Sequence, residues 1–108
     1  MTKILIVDDE ESILAPLEEM LSGEGYRVRA FDNPLKALEL LRTQGFDLAI
    51  FDIKMPEMNG YELLSSARTI RPGLPVIFLS SKQEEQDQII GYTFGADDFV
   101  VKTFSKHL

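Results

Sequence analysis

Five polar side chains stand where four apolar runs stop. Lys3-Ile4-Leu5-Ile6-Val7 ends in Asp8-Asp9, and Phe46-Asp47-Leu48-Ala49-Ile50-Phe51 ends in Asp52. Val76-Ile77-Phe78-Leu79 ends in Ser80, and Phe99-Val100-Val101 ends in Lys102. If those runs are parallel strands of one sheet, the five groups meet at its carboxyl edge, where open α/β sheets bind ligands. Clustered carboxylates repel one another and desolvate badly unless a positive charge joins them. A hard divalent cation answers that need. Mg²⁺ takes oxygen ligands, keeps several waters and is commonly held by one or two carboxylates with a phosphate oxygen. A carboxylate is also a nucleophile toward phosphorus, giving an aspartyl phosphate. Phosphoryl transfer asks for positioning and charge neutralisation more than for acid–base work. Lys102 suits one phosphate oxygen as a cation, and the Ser80 hydroxyl suits another as a donor. The single histidine, His107, stands near the end of the chain and offers no general base at this edge.

Each residue alone has an ordinary reading. Asp8-Asp9 after a strand can be a helix cap, and Asp52 before Pro56 a turn residue. Ser80 can cap a following helix, Lys102 can be a solvated lysine, and Phe99 and Met55 can be packing residues. Their joint placement at four strand ends is what points to chemistry.

The elements that must position them alternate: short apolar runs, then segments of helical period, five times over. That pattern predicts a parallel sheet with helices on its faces. The first strand is about residues 3–7, and its near-continuous apolar composition suits burial on both sides. A helix over about 11–22 carries Ile13, Leu14, Leu17, Met20 and Leu21 as one stripe, and Gly23 and Gly25 stop it. Pro16 falls inside this helix and is placed near its first turn. Tyr26 to Phe31 alternates and reads as an edge strand. Asn33-Pro34 is a cap followed by a first-position proline, opening a helix whose inward residues are Leu35, Ala37, Leu38 and Leu41. The strand ending at Asp52 is followed by the turn Met55-Pro56-Glu57-Met58-Asn59-Gly60, then by a helix over about 60–70. Strand four is read at 75–79, helix four at about 83–94 and strand five at 98–101. Right-handed crossovers leave few topologies, and the order 2-1-3-4-5 brings strands one and three side by side.

The chain has 108 residues, 44% hydrophobic and 27% charged, which fits one globular domain over 1–108. Cysteine is absent, so no thiolate site or disulfide framework is available. No apolar stretch reaches membrane-spanning length, and Met1-Thr2-Lys3 runs straight into a strand, without the lead of a secretory signal. A cytoplasmic setting and no membrane partner are expected. The net charge of −7 argues against direct nucleic-acid binding, which needs a basic surface.

Ile6-Val7-Asp8-Asp9-Glu10, Asp52-Ile53-Lys54-Met55-Pro56-Glu57-Met58-Asn59-Gly60, Leu79-Ser80-Ser81, and Gly95-Ala96-Asp97-Asp98-Phe99 with Lys102 run through nearly the whole chain in order. Together they resemble the receiver domain of two-component response regulators, the CheY-like family. The resemblance implies a flavodoxin-like fold with a doubly wound five-stranded parallel sheet. It implies that Asp52 accepts a phosphoryl group from a sensor histidine kinase. Asp8, Asp9, Asp52 and the backbone carbonyl of Lys54 would hold Mg²⁺, with Ser80 and Lys102 on the phosphoryl oxygens. Ser80 and Phe99 stand at the family's switch positions, and the output would be an attached domain or a downstream protein. Such a protein is a phosphoacceptor switch that assists its own phosphorylation and dephosphorylation, not an enzyme acting on other substrates. Lys54 and Lys82 occupy positions that influence how long the phosphoryl group lasts.

This chain departs from the family pattern in three places. Lys102 is followed by Thr103 rather than proline. A cis bond there would cost about 2.5–4 kcal/mol, so either the lysine loop differs or strain is stored beside the site. Pro16 sits in the helix that forms the kinase-docking face. The chain reaches Leu108 near the start of the family's fifth helix, expected from about Phe104, so that helix is expected to be truncated. Without it one sheet face would be uncovered, favouring a homodimer or lower stability. Helix four, with Glu84, Glu85 and Asp87, lacks the basic residues common in the winged-helix transcription-factor subfamily. The alternatives are a phosphate-independent interaction module that keeps the fold alone and a Mg²⁺-dependent hydrolase, for which no substrate-pocket residues stand out.

Overall fold

The computed structural model of the chain describes residues 1–80 and 98–101. Eight elements follow in order: β1 (Lys3–Val7), α1 (Glu11–Gly23), β2 (Arg27–Phe31), α2 (Pro34–Thr43), β3 (Leu48–Asp52), α3 (Gly60–Ile70), β4 (Val76–Ser80) and β5 (Asp98–Val101). The strands form one sheet in the order β2-β1-β3-β4-β5. All of its pairings are parallel. This is the doubly wound α/β architecture that the alternating pattern predicts. Helix four, the turn before Asp98, Lys102 with its bond to Thr103, and the start of a fifth helix lie outside the described residues.

β1 shows why its sequence is apolar throughout. Leu5 and Val7 project into a core shared with Ala37, Leu38 and Leu41 of α2 and Leu63, Leu64 and Ala67 of α3. Ile4 and Ile6 project into a second core with Leu14 and Leu17 of α1, Ile50 of β3 and Leu79 of β4. Successive side chains of a strand point to opposite faces, so a strand covered on both has no position for a polar residue. β2 is an edge strand, as its alternating sequence suggests. It begins at Arg27 rather than Tyr26, because the Tyr26 N–H donates to the carbonyl of Leu21 at 3.2 Å and belongs to the end of α1.

Two apolar residues expected inside are not. Met20 is 49% exposed and Leu35 is 53% exposed. Both lie at the margin of their helix stripes, whose centres are marked by Leu14 and Leu17 on α1 and by Ala37, Leu38 and Leu41 on α2. Pro16 also differs from its placement near the first turn. α1 starts at Glu11, so Pro16 stands in the second turn, where an N–H would have reached the carbonyl of Ser12. Asn33 caps α2 as the sequence predicts: its side chain accepts from the backbone N–H groups of Leu35 and Lys36, with Pro34 in the first turn. Among the described residues, no helix is long and apolar enough to cross a membrane.

Candidate functional site

The register of the central strands brings the acidic residues together. Val7 of β1 lies opposite Phe51 of β3, so Asp8, the next residue, stands beside Asp52, the last of β3. Asp52 in turn pairs with Leu79, which places the Ser80 backbone one step further along the same edge. Ser80 is opposite Val101, and Phe78 is opposite Phe99. Asp8, Asp52, Ser80 and the end of β5 therefore occupy adjoining strand ends at the carboxyl edge, as the sequence predicts. Lys102, the residue after β5, lies outside the described residues.

The two aspartates differ from ordinary surface acids. Asp8 is 0% exposed and Asp52 is 2% exposed, the only buried charged residues among those described. The Asp8 N–H donates to the carbonyl of Phe31 at 3.1 Å, which ties the end of β1 to the end of β2. Asp8 Oδ1 accepts the N–H of Glu10 at 2.9 Å and closes a tight turn into α1. Carboxylate oxygens of Asp8, Glu10 and Asp52 all lie within 4.8 Å of one another. Three carboxylates at that spacing repel unless a cation or proton joins them. The donor set is all oxygen, two of the three groups are buried, and the third opens to water. That suits a hard cation that keeps part of its hydration shell, as Mg²⁺ does.

Glu10, which sequence reasoning did not name among the metal ligands, is the third carboxylate of this trio. Its signal was present, since it continues the acidic run after β1. Asp9, expected as the partner of Asp8, is exposed and stands outside this trio. Lys54 is exposed, two residues beyond Asp52.

The loop after Asp52 is held from both ends. The Ile53 N–H donates to the carbonyl of Leu79 at 3.3 Å, and the Gly60 N–H donates to the carbonyl of Ile53 at 2.7 Å. Ile53 and Met55 are buried in the core beneath. A Cβ placed on Gly60 would overlap the carbonyl oxygen of Asp52 and come within 2.9 Å of Ile53 Cα and 3.1 Å of Phe78 Cε1. Only glycine lets the start of α3 approach the end of β3 this closely. Asn59 and Glu62 form a reciprocal capping box at the same point, with bonds of 2.9 and 3.1 Å. Phe78, opposite Phe51 on the neighbouring strand, meets the Tyr61 ring edge-on at 5.2 Å between centroids.

A five-stranded doubly wound sheet carrying buried carboxylates at its carboxyl edge places them where open α/β sheets bind ligands. Residues 4–108 match the model of the response regulator receiver domain family, and the chain belongs to that family. It is 39% identical over 102 residues to the transcriptional regulatory protein CreB of Escherichia coli, covering 94% of this chain and 44% of CreB. It is also 39% identical over 105 residues to the response regulator SaeR of Staphylococcus aureus, covering 97% of this chain and 46% of SaeR. The chain thus spans under half the length of these relatives. Among solved structures, the chemotaxis protein CheY4 of Vibrio cholerae aligns with a TM-score of 0.90 at 30% identity, covering 97% of this chain and 89% of that one. The response regulator TrrA of Thermotoga maritima, solved with Mg²⁺ and BeF, aligns with a TM-score of 0.84 at 33% identity, covering 97% of this chain and 90% of that one.

Proposed function

We propose that the chain is the phosphoacceptor of a two-component pathway, with Asp52 as the residue phosphorylated. The observation that carries this reading is the Asp52 carboxylate, 2% exposed at the end of a central strand and within 4.8 Å of two further carboxylates. A sensor histidine kinase supplies the phosphoryl group. An oxygen of Asp52 attacks phosphorus, the P–N bond of the phosphohistidine breaks, and the imidazole leaves with its electron pair. Divalent Mg²⁺, when bound, neutralises charge on the transferring group.

The chain's own residues do the positioning. β3 lies between β1 and β4, so the backbone that carries the attacking carboxylate is held from both sides. Asp8, Asp9, Asp52 and the Lys54 carbonyl are the proposed protein ligands. Ser80 and Lys102 take the phosphoryl oxygens, the first as donor and the second as cation. Ser80 and Phe99, on the adjoining β4 and β5, are the switch pair. Their rearrangement shifts the population of the surface read by an output domain or a downstream protein. The relatives' greater length supports an attached output domain, and the name of CreB supports control of transcription as that output. The domain itself works in the cytoplasm, assists its own phosphorylation and dephosphorylation, and leaves nucleic acid to other parts of the regulator.

Incubation with Mg²⁺ and a small acyl phosphate tests this reading. A hydroxylamine-sensitive phosphoryl adduct that disappears in Asp52→Asn is expected. No adduct, or one that survives that substitution, overturns it.

A further inference from the structure

We propose that the open edge of β2, with the groove between β2 and α2, docks an extended peptide in which acidic and apolar residues alternate. The proposal does not rest on the phosphoacceptor reading.

β2 is the outermost strand on its side of the sheet and pairs with β1 alone. The Arg27 N–H donates to the Thr2 carbonyl at 2.9 Å, and the Phe31 carbonyl accepts the Asp8 N–H at 3.1 Å. In a parallel ladder the backbone groups of alternate residues turn to the same neighbour. Arg27, Arg29 and Phe31 therefore bond to β1, and the N–H and C=O groups of Val28 and Ala30 face outward. Such a row is a template for one more strand, and extended peptides use it as their docking mode.

The side chains define what that strand carries. Leu5 and Val7, which face α2, lie opposite Arg29 and Phe31, so those two residues and Arg27 share the same face. Arg29 and Phe31, with Lys36, Glu39, Leu40 and Thr43 of α2, line an open groove of about 450 Å³. The Arg29 guanidinium lies over the Phe31 ring, 5.5 Å from its centroid. Stacking on an aromatic face leaves the N–H edge of the fork open, and that edge matches a carboxylate. Arg27, Arg29 and Lys36 are exposed, and no acid among the described residues forms an ion pair with them. Glu39 is the acid of the lining and Asp32 follows the strand, so the groove keeps a basic balance in a chain whose net charge is −7.

Basic residues on an edge strand ordinarily discourage pairing. A partner with carboxylates two residues apart turns that barrier into attraction, because opposite charges then face each other across the ladder. The side chains between its acids fall on the other face of the sheet. There Val28 and Ala30 are partly buried against the α1 core, and apolar residues of the partner would extend that core.

Amide NMR titration of the whole chain with a short capped peptide of alternating glutamate and valine tests this. We expect shifts gathered on β2 and α2, and slower amide exchange at Val28 and Ala30. A peptide of alternating lysine and valine should cause neither. Arg29→Gln should weaken binding about fivefold, the upper range for an opposite-charge cross-strand pair. Arg42, also exposed on α2, lies outside the groove lining, and Arg42→Gln should stay within about twofold of the parent. No shifts at β2, or shifts without slower exchange at Val28 and Ala30, overturn the proposal. So does equal binding of the lysine peptide, equal affinity of Arg29→Gln and the parent, or an equal loss in Arg42→Gln.

Discussion

Gly60 and Asp52 meet backbone to backbone: the first residue of α3 leaves no room for a side chain beside the carbonyl oxygen of the proposed phosphoacceptor. Alanine is the better helix former, by about 1 kcal/mol, so propensity alone would favour Gly60→Ala. The clash is with backbone atoms of Asp52 and Ile53, which cannot swing aside. It should win, with a net loss of about 2 kcal/mol in urea unfolding. Phosphorylation should slow as well, since the end of β3 must shift. Unchanged stability and unchanged phosphorylation would show that α3 can retreat without moving Asp52.

Asp52→Asn should have opposite effects on stability and chemistry. It removes one of three neighbouring carboxylate charges at nearly constant volume. With EDTA present, relief of repulsion should raise stability by about 1 kcal/mol, which is roughly 4–6 °C in Tm for a domain of this size. The adduct should vanish. A lower Tm would mean that the Asp52 charge is net stabilising and that its favourable contacts outweigh the repulsion.

Mg²⁺ should stabilise the parent in proportion to its occupancy. At ten times Kd the gain is about 1.4 kcal/mol for a ligand that binds only the folded state. Asp8→Asn should remove most of that gain, because Asp8 is buried beside Asp52. Melting curves over a Mg²⁺ series check this. An undiminished shift in Asp8→Asn would place the ion elsewhere.

Pro16→Ala should stabilise the chain. Pro16 is exposed and lies inside α1, so alanine restores a hydrogen bond to the Ser12 carbonyl without disturbing the core. The expected gain is about 1–3 kcal/mol in urea unfolding. A loss would indicate that the helix is already shaped around the proline.

Most of this fold is legible in the sequence because each strand is a compact apolar run and each helix start has its own chemistry. Asn33-Pro34 marks α2, and α3 spans Gly60–Ile70 as its periodicity predicts. The acidic edge follows from strand order, since adjacency of β1 and β3 is enough to bring Asp8 to Asp52. What periodicity does not resolve is how wide each apolar stripe is: Met20 and Leu35 share the spacing of core residues but fall outside the contact width of the sheet. Nor does a run of three acids reveal which one turns back. The Glu10 carboxylate lies near those of Asp8 and Asp52 at a turn where the Glu10 N–H donates to Asp8 Oδ1. The need for glycine at position 60 is likewise a matter of interatomic distance.

The position of β1 also bears on how the chain is made. It precedes β2 and β3 in the chain, yet it lies inside the sheet, with Ile4 paired to Val28 on one side and to Leu48 on the other. Its second neighbour exists only after β3 has been synthesised. Parallel pairings between such distant segments form slowly, because a long loop must close before any bond rewards it. Until then Leu5 and Val7 have no complete core to enter, and the nascent chain exposes the apolar strand that ends in the acidic site. Chaperone capture of stalled chains should therefore fall sharply once the stall point passes β3 far enough for it to clear the exit tunnel.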